Sequence, residues 1–365
     1  LFDGRIDAQP LTPARGSTAQ VAELLGAPVV LVVDARGQSQ SIAALLQGFS
    51  GFHRGVRIGA VILNRVGSVR HEQVLRQACE AVGVSVLGAI PRDDELAVPS
   101  RHLGLVTAVE HGEAALAAVA AMTALIARHV DLAAVLGLAG SRVTAGSWSP
   151  DAVIGEPVAG RPVVAVAAGR AFSFGYAEHR ELLAAAGAEV AEFDPLTEPL
   201  PPDSTGLILP GGFPEQYLET LSANTELREQ VCRLAERAPV HAECGGLAYL
   251  MDELDGHPMC RVLAGAARFT PRLTLGYRDA VAIADSPLFT TGQRVVGHEF
   301  HRTAVEFSGD REPAWVFHGS DGATVRDGAL RAGVHASYLH THPAAHPHSV
   351  ARFVRCAGQV TKLGR

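Results

Sequence analysis

Cys244 stands in the stretch APVHAECGGLAYLM, from Ala238 to Met251. A strand-like apolar run leads into the cysteine, and two glycines and a helix-like run follow it. A nucleophile on a sharp strand-to-helix turn has this form, because small neighbours permit a strained backbone and close approach of a substrate. A helix N-terminus beside a cysteine also favours the thiolate, which is the reactive form. The same residues describe a core cysteine next to a glycine turn.

A cysteine nucleophile needs a base, and the chain has 16 histidines. Five of them crowd GVHASYLHTHPAAHPHSV: His335, His340, His342, His346 and His348. A solvated loop and a metal site are both open for this cluster, although Pro343 and Pro347 disrupt any helical ligand pair. His340 differs from the others because it closes the strand-like ASYLH, where a rigid element can hold a base at a fixed distance from a thiolate. A third piece is LILPGGFPE. Gly211 and Gly212 at its strand end, like Gly245 after the cysteine, can turn backbone N–H groups toward a substrate oxygen and form an oxyanion hole, or serve as plain turns.

The elements that must position these residues fall into two halves. At 365 residues the chain is too long for one ordinary core. In the first half, STAQ (Ser17 to Gln20) fits a capping box before a helix. PVVLVVDARG and GVRIGAVILNRV read as buried strands ending at Asp34 and near Asn64. HEQVLRQACEAVG reads as a helix, VSVLGAIP as a strand and EAALAAVAAMTALIARHV as a closing helix. The second half repeats the alternation through RPVVAVAAG, HRELLAAAG, AEVAEFDP, TGLILPGG and PVHAECGG; beyond residue 260 the patterns look shorter and more β-like. Continuous Val, Ile and Leu runs between helices imply parallel sheets covered on both faces. The fold class is therefore α/β with two domains, residues 1–140 and 161–355, joined by a Gly-, Ser- and Pro-rich linker at 141–160.

Composition narrows the function. The net charge of −7 and the lack of a long basic run argue against nucleic acid or an anionic membrane as partner. No stretch is long and apolar enough to be read as a membrane span. The five cysteines are scattered and form no CxxC pair, which argues against a disulfide framework or a thiolate zinc site and for a cytoplasmic protein.

PGGFPE, HAECGGLAYL and ASYLHTH, in this order, resemble a class I glutamine amidotransferase domain of the cobyrinate synthase type. The whole chain resembles the cobyrinic or hydrogenobyrinic acid a,c-diamide synthases of cobalamin biosynthesis. The resemblance is carried by AFSFGYAEHRELL, GLILPGGFPE, GYRDA and GHEFHRT, and nearer the start by LFDGR, VVDARGQSQSIAALLQGF, VILNRVGS and IPRDDELAVPSRHLGL. It implies an N-terminal P-loop NTPase domain similar to dethiobiotin synthetase, which binds ATP and Mg2+ and phosphorylates a substrate carboxylate. It implies a C-terminal domain that releases ammonia from glutamine, with Cys244 forming a γ-glutamyl thioester and His340 as its base. The implied partners are glutamine, ATP and a corrinoid, with a homodimer as the oligomeric expectation.

The resemblance also carries roles for Asp3, Asp34 and Asn64. Asn64 would read adenine, Asp34 would hold magnesium or a substrate group, and Asp3 would lie where nucleotide and corrinoid meet; capping or turn roles are the alternative for each. The sequence departs from the pattern twice. Many class I amidotransferases have a glutamate two positions after the histidine, where this chain has His342, so a Cys–His dyad is expected. The family's Gly-rich phosphate loop is absent from these residues. The expectation is a truncated record or a natural fragment that does not bind ATP normally. Alternatives are another corrinoid amidase, such as cobyric acid synthase, and a non-catalytic metal-binding derivative of the fold.

Overall fold

The computed structural model describes residues 1–5, 15–93, 108–140, 142–143, 146–309, 311–319 and 321–360, with the side chains of 108–115 outside that description. The family stretch ELAVPSRHLGL, at 95–105, lies outside the described residues. The chain divides into two units, Leu1–Gly146 and Ser147–Arg365. Among the described residues no helix is long and apolar enough to cross a membrane.

The first unit opens with α1 (Thr18–Leu25), whose N-cap Ser17 accepts from the Gln20 N–H at 3.1 Å. Gln20 Oε1 accepts in return from the Gly16 N–H at 2.7 Å, so the predicted box forms with its return bond one residue earlier. The elements that follow are β1 (Val29–Asp34), α2 (Ser41–Phe52), β2 (Ile58–Val66), α3 (Val69–Ala81), β3 (Val86–Pro91), α4 (Ala108–His129) and α5 (Leu132–Leu138). Strands β1, β2 and β3 pair in that order, all parallel. Ile42, Leu46, Leu63, Leu75 and Cys79 fill the core between this sheet and helices α2 and α3.

The second unit begins with α6 (Pro150–Ile154), a short helix inside the stretch read as linker, with Pro150 at its first turn. Then come β4 (Val163–Ala167), α7 (Ala177–Ala185), β5 (Glu189–Phe193), β6 (Ser204–Leu209), α8 (Leu218–Ala223), α9 (Thr225–Ala235), β7 (Val240–Glu243) and α10 (Gly245–Leu250). The remaining elements are β8 (Met251–Leu254), β9 (His257–Pro258), β10 (Leu263–Ala282), β11 (Arg294–Phe307), β12 (Trp315–His318), β13 (Thr324–Asp327), β14 (Ala329–Arg331), β15 (Val334–Ser337) and α11 (Pro347–Gly358). One sheet has the order β14-β15-β7-β6-β4-β5 and is parallel except for its β14 edge. Every residue of β6, β7 and β15 is buried, including the polar His241, Glu243, His335 and Ser337.

A second sheet, ordered β13-β12-β10-β8-β9 with β11 paired to β10, departs from the expectation of short strands beyond residue 260. Strand β10 has 20 residues and β11 has 14. Pro271 in mid-strand hid the length of β10, since proline cannot donate to a ladder; the β10–β11 register shifts there, between Phe269 and Thr274.

Candidate active site

Cys244 lies in the turn between β7 and α10, with φ 51° and ψ −102°. An L-residue avoids this region, and holding one there costs about 1–3 kcal/mol. The surroundings hold it firmly. The Cys244 N–H donates to Ser337 O on β15 at 2.8 Å, and its carbonyl accepts from the Ala248 N–H at 3.2 Å. A Cβ on Gly246 would collide with the carbonyl of Leu209 at the end of β6. One on Gly245 would lie 2.8 Å from Pro214 Cδ and 3.1 Å from the Gly212 amide nitrogen. One on Gly212 would strike the Ala171 carbonyl, and one on Gly211 would stand 2.6 Å from His340 Cε1. The two glycine pairs are thus packed against each other and against the histidine, where only glycine fits. Gly245 is the first residue of α10, where a helix N–H has no intrahelical acceptor.

His340 follows β15 and is locked to β11 by two backbone bonds, His340 N–H to His298 O at 2.8 Å and His298 N–H to His340 O at 3.0 Å. The two rings stack at 5.0 Å between centroids and 13° between planes. His340 is buried, as is Cys244. Burial alone would lower the His340 pKa, but hydrogen bonding to Cys244 and the adjacent Glu243 carboxylate outweigh it and push the ring up to about 10. These neighbours favour the protonated ring.

Glu243, the last residue of β7, is the site residue that sequence reasoning passed over. Its Oε2 lies 3.6 Å from His340 Nδ1, an ion-pair distance rather than a short hydrogen bond. Its Oε1 lies 3.3 Å from His241 Nε2 and accepts from Thr341 twice, from the N–H at 3.0 Å and the hydroxyl at 3.2 Å. Burial would raise this carboxyl, yet His241 and His340 hold it well below the usual range. The signal was present in the sequence: His241 and Glu243 are polar residues at i and i+2, hence on one face of a strand otherwise made of Val and Ala.

The other four histidines of the cluster scatter. His335 is buried on β15, 3.1 Å from Ser286 Oγ, and burial pushes its pKa down to about 3. His342 is exposed, its ring 4.5 Å from that of Tyr176. His346 packs edge-on to Phe289, and His348 is exposed. Among the described residues no group of three or more His, Cys, Asp or Glu side chains is placed to hold a metal ion.

In the first unit, Asp34 and Asn64 are paired neighbours at the C-terminal ends of β1 and β2. Ligands of open parallel sheets bind at such ends. Asp34 is partly exposed; its Oδ1 accepts from the Arg36 N–H at 3.0 Å, and its Oδ2 lies 3.0 Å from Arg36 Nη2 and 3.1 Å from Arg65 Nη1. The Arg36 backbone bond, aided by the Arg36 and Arg65 guanidiniums, holds this carboxyl below its ordinary value against the opposing effect of desolvation. Asn64 Oδ1 accepts from the Arg65 N–H at 2.9 Å. Asp3 is exposed, beside Phe2, which stacks on Phe49 at 5.8 Å. With both Asp34 oxygens engaged, this arrangement does not fit a magnesium ion without displacing the arginines.

Comparison with known proteins agrees with this division. Residues 163–348 match the family described as CobB/CobQ-like glutamine amidotransferase domain, and residues 6–100 match the AAA domain family. The hydrogenobyrinate a,c-diamide synthase of Mycobacterium bovis is 65% identical over 355 residues, covering 97% of this chain and 78% of the relative. The enzyme of the same name from Streptomyces coelicolor is 51% identical over 390 residues, 98% of this chain and 79% of its own. The cobyrinate a,c-diamide synthase of a Synechococcus strain is 37% identical over 376 residues, spanning 100% of this chain and 80% of its own.

Proposed function

The chain belongs to the hydrogenobyrinate and cobyrinate a,c-diamide synthase family, and from that premise we propose that it amidates the a and c carboxylates of a corrinoid acid with nitrogen taken from glutamine. It is a glutamine-hydrolysing amide ligase that uses ATP. A carboxylate is a poor electrophile, so ATP first transfers its γ-phosphoryl group to the corrinoid carboxylate. Ammonia attacks the resulting acyl phosphate, the C–N bond forms, and phosphate departs.

The ammonia comes from the second unit. The Cys244 thiolate attacks the side-chain carbonyl of glutamine, and the amides of Gly212 and Gly245, with Gly211 shaping the turn, receive the developing oxyanion. The His340 imidazolium gives its proton to the departing ammonia, leaving a γ-glutamyl thioester. Water then attacks the thioester, giving up a proton to His340, and glutamate leaves. Convergence of His340 and the glycine pair after β6 on the buried Cys244 turn carries this proposal.

In the first unit, Asp34 and Asn64 serve the nucleotide or the activated substrate, as their strand-end position favours, and Asp3 is a further candidate. Magnesium would accompany ATP, but no step is assigned to it because the Asp34 oxygens are engaged. The five free cysteines favour a reducing cytoplasm as the working compartment.

Cys244→Ala tests the division of labour. Glutamate release and glutamine-driven amidation should disappear, while amidation with ammonium chloride as nitrogen source persists. Loss of the ammonium-driven reaction in a folded variant, or survival of glutamate release, contradicts the assignment.

A further inference from the structure

A buried carboxylate lies against the base without being where such a carboxylate is usually sought. We infer that Glu243 is the positioning residue of the glutaminase site, holding the proton on His340 Nδ1 and leaving Nε2 for Cys244. The inference rests on the assignment of Cys244 and His340 as nucleophile and base. The acid partner is then supplied by the nucleophile's own strand, one residue before the cysteine, instead of two residues after the histidine, where His342 is exposed.

The geometry makes Glu243 a fixed rather than an incidental neighbour. Three donors on two chain segments converge on Oε1: His241 at 3.3 Å and the Thr341 N–H and hydroxyl at 3.0 and 3.2 Å. That leaves Oε2 toward His340 Nδ1 at 3.6 Å. Thr341 directly follows His340, so the carboxylate clamps the backbone carrying the base as well as its ring. Strand pairing adds to the clamp, since Glu243 lies beside Ser337 in the β15–β7 register and the Cys244 N–H bonds Ser337 O.

The surrounding titratable groups leave His340 as the ring whose charge this carboxylate supports. His335 on β15 is buried and His179 on α7 is half-buried, and desolvation pushes both down to about 3, so both are neutral. His298, behind His340 on β11, is also lowered by burial. Tyr176, at the start of α7, is raised to about 12 by burial and by Glu243 itself, and stays a phenol. His342 is exposed against the Tyr176 ring, and His241 bonds the other oxygen. A fixed carboxylate beside a histidine sets the tautomer and stabilises the imidazolium, which is what a base that must first hold and then donate a proton requires.

The test uses Glu243→Gln in the whole chain, an isosteric change that removes the charge. Glutamate release should lose about a hundredfold in kcat with KM within about threefold, as expected for a lost acid–base contribution rather than lost binding. The alkaline limb of the kcat–pH profile should move to lower pH by about one unit or more, because the imidazolium is no longer supported. A purely structural role would not move that limb. Should Glu243→Gln not fold, nitrogen-15 NMR titration of the histidines in Cys244→Ala, which removes the thiol that also raises His340, decides the matter, with His340 assigned from the further change His340→Asn. His340 titrating far above 6.5 supports the inference, and titration near 6.5 overturns it. Wild-type kcat and pH profile in folded Glu243→Gln also overturn it. Cys244→Ala separates the two levels: if it still releases glutamate, the site assignment fails. If it is inactive while Glu243→Gln is normal, only the role of Glu243 fails.

Discussion

The two candidate sites of this chain occupy the same structural position, the C-terminal ends of parallel strands, and are built in opposite ways. Glu243, Cys244 and His340 are all buried, and their neighbours are locked by backbone bonds and by glycines that no larger residue can replace. Asp34 and Asn64 stand near the surface, tied to Arg36 and Arg65 by contacts open to water. On the proposed function, the difference matches the chemistry each would serve. A nucleophile and base act on a small amide and depend on distances set before the substrate arrives, in a place where water does not screen them. A site for a polyanion and a large acid meets ligands that bring their own charge. Exposed ion pairs contribute little and are weakened by salt, so they exchange readily for such a ligand.

The sharpest break of this comparison is at the base. His340→Ala should lower glutamate release by on the order of a thousandfold or more, since a paired nucleophile is weak without its base. His348→Ala, on the surface, and His346→Ala, half-buried against Phe289 but outside the Cys244 turn, should leave the rate within about twofold. Equal loss in all three variants would mean that the cluster works as a unit, and that burial does not mark the catalytic member.

The buried site should also leave a trace in stability. His179 and His335 are held neutral by burial, at about 3 against about 6.5 when unfolded. Their contribution is therefore complete above pH 6.5 and is lost as the pH falls toward 3, because only the unfolded chain takes up the protons. At pH 5 each group has lost about 2 kcal/mol, at 1.36 kcal/mol per unit over about 1.5 units. His340 has the opposite sign. Raised to about 10, its contribution is complete below pH 6.5 and disappears as the pH rises through 10. Urea unfolding of the second unit should thus be most resistant near neutrality, and His335→Asn should flatten the acid side. Equal midpoints at pH 7.5 and pH 5 would contradict the buried neutral histidines.

What the sequence made legible follows the same divide. The glycines of AECGG and LPGGFPE announced tight approaches at the ends of two short buried strands, so the elbow could be placed by residue. The boundaries of β1, β2 and β3 were readable for the same reason. Glu243 was overlooked because its meaning depends on a contact across 97 positions of chain, with His340, and no local pattern encodes such a distance. The missing glutamate after His340 drew attention to the wrong side of the base. The β10–β11 hairpin was hidden by a proline, and by the exposed middle of β10, where alternation is weak. At Asp34 and Asn64 the pattern gave position only; of the two arginines that engage Asp34, Arg36 lies in the turn after β1 and Arg65 stands near the end of β2 with a positive φ of 59°, which no periodicity reveals.

The smallest effect should fall at Asp34, and its selectivity matters more than its size. The carboxylate is an acceptor for Arg36 and Arg65 on an open strand end, so Asp34→Asn removes charge without opening a cavity and should leave the melting temperature unchanged. If the strand ends serve ATP or the corrinoid, amidation should fall about tenfold, a typical cost of one lost charged contact. Glutamate release should remain within about twofold, because Asp34 takes no part in the Cys244 turn. Both rates measured on one preparation give the decision. Undiminished amidation would remove Asp34 from the site and leave it a surface acceptor for two arginines. Parallel loss of both activities would mean that the exposed strand end governs the buried turn, and the contrast between a prearranged site and an adaptable one would have to be abandoned.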